Sequence, residues 1–95
     1  MATLWIHVFE SAGEVALGDP IQDDTVTVSG ASAQSDAVTG SGRKRRRIRL
    51  FADVDCHVVW GADPTADTGD LPLGASNPEY FDIEAGHKIA VIERV

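Results

Sequence analysis

The sequence predicts an all-β protein, a small antiparallel β-sandwich or jelly-roll-like barrel of about 6–8 short strands. Three observations carry this. Helical periodicity is scarce, short runs rich in Val, Ile, Phe, Tyr or Trp recur, and Gly, Pro, Asp or Asn bound each run.

In chain order, residues 3–9 (TLWIHVF) read as the first strand. Side chains alternate along a strand, so Leu4, Ile6 and Val8 share one face while Trp5, His7 and Phe9 share the other. Residues 14–17 form a short candidate strand, followed by a turn at Gly18-Asp19-Pro20, where Gly tolerates positive φ and Pro holds its own. Residues 25–29 are the next strand. The small, polar stretch 30–42 is either a flexible linker or an edge strand. Residues 46–52 and 56–60 are strands joined by Asp53-Val54-Asp55, a tight link that predicts a hairpin over 46–60. Residues 61–78 hold three of the four prolines and predict a long surface loop with a short strand at 71–73. Strands at 79–83 and 88–93 complete a single domain over residues 1–95, without internal repeats.

Length and composition bound what such a domain can do. A chain of 95 residues hides only roughly two thirds of the surface its unfolded form exposes, so it is marginal by itself. With 43% hydrophobic and 24% charged residues it lies in the globular range. A formal net charge of -7 repels phosphate backbones, which makes nucleic acid a poor default partner. Cys56 is the single cysteine, so no internal disulfide can form. The first residues lack the basic start of a signal peptide, and no run approaches the ~20 apolar residues of a membrane span. The expectation is a soluble protein made in a reducing cytoplasm.

Two of the strands are apolar on both faces. In residues 3–9 both faces carry large apolar groups, and in 88–93 Ile89 and Val91 oppose Ala90 and Ile92. A small sandwich covers only one face of each sheet, so the second face calls for a subunit interface or a host surface. Burial there would contribute ~25 cal/mol per Å2 before the costs of association.

The basic stretch is equally uneven. Six of the eight Lys and Arg residues occupy the seven positions 43–49 of an acidic chain. Alternation sorts them: Ile48, Leu50 and Ala52 share a core-like face, while Arg45, Arg47, Arg49 and Phe51 share the other. A nucleic-acid or targeting arm belongs in a tail, whereas this run leads directly into a strand. Two readings stand: a solvated face whose Arg stems cover apolar surface, or an ion-pair surface for carboxylates of a neighbouring copy or a host protein. The candidate partner-binding residues are Arg43, Arg45, Arg47, Arg49, Trp5, Phe9, Trp60 and Tyr80.

No catalytic, cofactor or metal residues are assigned. The adjacent Cys56 and His57 point to opposite faces of a strand, which disfavours a metal pair, and the aspartates of the 61–78 loop leave calcium open. His7, His57 and His87 sit in no nucleophile elbow, and no phosphate-binding loop is present, so an enzyme is not expected.

From Ser32 onward the order of motifs resembles small β-rich proteins encoded among the structural genes of tailed bacteriophages. The elements that carry this are Asp55-Cys56-His57-Val58 running to Trp60-Gly61, Pro64-Thr65-Ala66, Glu79-Tyr80-Phe81, and Gly86-x-Lys88-Ile89-Ala90-Val91-Ile92, over about two thirds of the chain. The resemblance implies a virion component: a capsid decoration or cement protein that binds the major capsid protein and its own copies around a symmetry axis, as a trimer for example. A head-completion, collar or tail-associated protein is the alternative. From another class, a carbohydrate-binding module on the virion surface would use Trp5, Trp60 or Tyr80 as its platform. The Arg43 to Arg49 cluster departs from the family, whose corresponding strand is expected to carry few basic residues.

Overall fold

The computed structural model of the chain describes residues 2–9, 21–40 and 45–94. It contains eight strands among them: β1 (Ala2–Phe9), β2 (Gln22–Val28), β3 (Ala33–Gln34), β4 (Arg45–Ala52), β5 (Cys56–Gly61), β6 (Leu71–Leu73), β7 (Glu79–Glu84) and β8 (Lys88–Glu93). They form two antiparallel four-stranded sheets, β2-β1-β4-β7 and β3-β8-β5-β6. With β1 counted after β8, both orders are those of an eight-stranded jelly roll. The expected fold class therefore holds.

Alternation builds the core. Leu4, Ile6 and Val8 of β1 and Ile48, Leu50 and Ala52 of β4 are buried from the first sheet, against Cys56 and Val58 of β5 and Ile89 and Val91 of β8 from the second. The strand expected at 25–29 begins three residues earlier, at Gln22. Asp23 and Asp24 interrupt the apolar pattern, but pairing with β1 carries the ladder on to Val8↔Gln22. The candidate strand at 14–17 and the turn at 18–20 lie outside the described residues.

The expected hairpin over 46–60 does not form. β4 is already paired on both sides, by β1 and β7, while β5 belongs to the other sheet. Asp53-Val54-Asp55 is instead an arch that crosses between the sheets. Asp53 ties its start to β1: its amide donates to Thr3 O at 3.3 Å and its Oδ1 accepts from Thr3 N at 2.8 Å. An arch lets the apolar faces of β4 and β5 oppose each other, where a hairpin would put them side by side in one sheet.

The 30–42 stretch resolves toward an edge segment as far as residue 40. After the two residues of β3, Ser35 and Val38 donate to Ile89 O and His87 O, each at 2.8 Å. β2 holds the same segment from the other side: Asp24 Oδ2 accepts from Asp36 N at 2.9 Å, and Gln22 bonds to Thr39 N and Ala37 O. These side-chain bonds close the flank of the sandwich where the two sheets exchange no ladder bonds.

Residues 62–70 supply part of what two-sided β8 was expected to need from a partner. Gln34 Nε2 donates to Asp63 Oδ1 and to Pro64 O, and Ala66 N donates to Ser32 Oγ at 2.8 Å. The loop thus crosses from β5 to the β3 edge over the outer side of the second sheet, with Pro64 and Ala66 buried. Outward-facing Ala90 is fully enclosed. The loop covers Ala90, while Ile92 on the same side stays half-buried, so the cover expected from a partner is supplied in part by the chain itself.

Candidate protein-docking face

The outer side of the first sheet carries the remaining two-sided strand, β1. The registers place its side chains in cross-strand rows. Trp5 stands between Thr25 and Phe51, His7 between Asp23 and Arg49, and Phe9 opposite Arg47. On the far side of β4, Arg45, Arg47 and Arg49 face Glu84, Asp82 and Tyr80. Directly opposed side chains on one face are close enough to interact, so each Arg is characterised by its β7 neighbour.

Arg47 is neutralised within the molecule. Its Nε and Nη2 donate to the two carboxylate oxygens of Asp82 at 2.9 and 3.3 Å, a two-point fork. The hydrogen bond from Arg47 holds the Asp82 carboxyl below its ordinary range, and the same bond raises the Arg47 guanidinium. Arg49 has no such partner: its neighbours are a phenol and an imidazole, and no carboxylate among the described residues reaches it at ion-pair distance. Its guanidinium lies 5.5 Å from the centre of the Phe51 ring, which in turn packs on Trp5 at 5.8 Å. The cation is thereby held on aromatic surface and turned toward solvent.

Around Arg49 the face is partly open. Tyr80 is 52% exposed, and Trp5, Phe9 and Phe51 are half-buried. His7 Nε2 lies 3.6 Å from Asp23 Oδ1, while Nδ1 is enclosed without a hydrogen-bond partner among the described residues. The imidazole therefore packs as part of the platform beneath Arg49.

Of the sequence candidates, the fold brings together Trp5, Phe9, Arg45, Arg47, Arg49 and Tyr80. Arg43 lies outside the described residues. Trp60 is separated from the group: it shares the inward parity of Cys56 and Val58, and its ring packs 4.9 Å from Phe81 between the sheets. It borders an open cleft of about 210 Å3 with Val58, Val59, Asp70 and Leu71, on the other sheet. Phe51, His7 and Asp82 belong to the face and were not among the candidates. Alternation places Phe51 beside the Arg row in the sequence, but no local signal pairs Asp82 with Arg47.

No family model, curated protein or solved structure matches the chain. What the face can do is set by its own chemistry. A sheet surface with a half-buried cation inside an aromatic frame, rimmed by Asp23, Asp82 and Glu84, suits a protein carboxylate. Elsewhere, Cys56 is buried in the core, and burial pushes its thiol up to about 11, which makes it a poor nucleophile. His57 points outward from the same strand, its Nδ1 3.0 Å from Asp70 O. Among the described residues no three metal-ligating side chains converge.

Proposed function

We propose that this is a non-enzymatic virion structural protein, a capsid decoration protein that docks on the major capsid protein through the outer side of the β2-β1-β4-β7 sheet. The observation that carries this is Arg49, a guanidinium with no carboxylate at ion-pair distance among the described residues, framed by Trp5, Phe51 and Tyr80. Arg, Trp and Tyr are the residues in which interface energy concentrates. The resemblance of residues 32–66 and 71–93 to phage structural proteins supplies the class of partner. Many copies on a shell let each contact be weak, which suits a small, marginal domain.

The test is occupancy on undecorated heads. Arg49→Glu should keep its thermal midpoint yet bind the shell at least about tenfold more weakly, the scale of one lost charge-assisted hydrogen bond. Unchanged occupancy overturns the reading. Imaging of labelled particles separates decoration, with many copies over the shell, from a head-completion or tail-associated position at one vertex. The carbohydrate alternative draws support from exposed Tyr80, which shares the outer face with Trp5 across β4, since inward-packed Trp60 is poorly placed as a platform; glycan binding lost in Tyr80→Ala would favour it.

A further inference from the structure

Opposite the Arg49 face, the loop over the second sheet presents Asp63, Asp67 and Asp70. One oxygen of each is engaged within the chain. Asp63 Oδ1 accepts from Gln34 Nε2 at 2.9 Å, Asp67 Oδ1 from Gly69 N at 2.7 Å, and Asp70 Oδ2 from Asp67 N at 2.8 Å. The second oxygen of each accepts nothing from the described residues, and none of the three makes an ion pair with them. The internal bonds hold the three carboxylates in a fixed arrangement, with Asp63 and Asp67 exposed.

Among the described residues, one side of the molecule thus carries a cation without a carboxylate at ion-pair distance, and the other carries carboxylates without a cation. They cannot meet within one chain, because both sheets and the core lie between them. We propose that copies associate head to tail, with the 62–70 loop of one docking on the Trp5, Arg49, Phe51 and Tyr80 face of the next. This rests on the reading of that face as a docking surface; in free solution its occupant is a second copy, which competes with the shell for the same residues. A face-to-face dimer is disfavoured, since a two-fold axis through the centre of the face would set Arg49 against Arg49. A head-to-tail contact is heterologous, so it closes into a ring when the rotation permits and otherwise grows.

Two variants test this in the full chain. Arg49→Glu disables the face and leaves the loop. Asp63→Asn/Asp67→Asn/Asp70→Asn removes the loop's charge but keeps the oxygens that hold its shape. In light scattering at low salt, the wild type should gain mass with concentration, and each variant alone should stay monomeric. Their equimolar mixture restores one interface per pair and should stop at the dimer. If Arg49→Glu lowers the thermal midpoint, Arg49→Ala removes the charge without reversing it and takes its place.

A wild type that stays monomeric at millimolar concentration overturns the inference, as does a mixture that stays monomeric while the wild type associates. Head binding separates this failure from failure of the docking reading. If the wild type is monomeric yet Arg49→Glu loses heads, only the head-to-tail contact falls. If Arg49→Glu both self-associates and binds heads like the wild type, both readings fall.

Discussion

Arg47 and Arg49 stand two positions apart on one strand, and the strand beside them gives them different duties. Arg47 meets Asp82 and becomes part of the β4–β7 ladder; Arg49 meets Tyr80 and remains available. The lowered Asp82 pKa means the pair's contribution is present above the ordinary aspartate value of 3.8 and is lost as pH falls through the depressed one. Both side chains are partly exposed, so this contribution is small. Cys56 has the opposite sign. Its thiol is raised from 9.0 to about 11 chiefly by burial, so between those values the unfolded chain sheds a proton that the native chain keeps. Stability should fall across that window by about 2–3 kcal/mol on this account. Urea titrations from pH 8 to pH 11 check it: Cys56→Ala should show a shallower alkaline loss than the wild type, and equal slopes would refute the assignment. That Cys56 is a core thiol and His57 an outward ring was legible from alternation, since adjacent strand positions must diverge. Which carboxylate meets which arginine was not, because Asp82 lies 35 residues away.

The strands themselves were largely legible, for a local reason: residues such as 88–93 carry their own pattern and punctuation. The joints were not. Asp53-Val54-Asp55 has the length of a hairpin link and serves as an arch, because the choice depends on β1 and β7 already flanking β4. The segment leading from β3 toward β4 shows the same dependence. It is anchored by Gln22 and Asp24 of β2 and runs to Gly40, whose φ of 127° disfavours any side chain. A Cβ there would lie 2.8 Å from Ala85 Cβ and 3.0 Å from Arg46 Nη2. Gly40→Ala should cost about 1–3 kcal/mol in chemical denaturation. Gly30→Ala, with nothing within 4 Å of the added carbon, should change stability by less than about 0.5 kcal/mol. Equal effects at the two positions would remove the claim that Gly40 is a packing joint.

Taken whole, the molecule is a jelly roll whose final strand has moved to the front of the chain. β1 begins at Ala2, paired with Val28, and β8 ends at Glu93, whose amide donates to the adjacent Ser29 O at 2.8 Å. The two ends of the strand system therefore lie side by side. A circular permutant that joins Arg94 to Ala2 through a short Gly/Ser linker and opens the chain between β1 and β2 should fold, with a cooperative transition and the same Arg49 face. Loss of the cooperative transition would show that the β1–β2 connection is itself required for the fold. At this scale the two outer sides also differ: one carries an aromatic frame around Arg49, the other an acidic loop. Part of the apolar outer side of β8, Ala90, is enclosed as residues 62–70 return over it. The apolar outer side of β1 stays half-open around Trp5 and Phe9.

By itself the sequence determined the strand class, the sorting of each strand's side chains into two faces, the core-facing side of β4, and the row of alternating arginines. These follow from period-two alternation and turn chemistry, which act within a few residues. Tertiary structure alone decided that β4 and β5 part company, that Trp60 meets Phe81, that a loop returns over the second sheet, and that Arg47 is paired while Arg49 meets no carboxylate among the described residues. Each of these depends on which distant strand arrives alongside. That arrival is settled by burying both apolar faces at once, a condition on the whole chain that no short window contains.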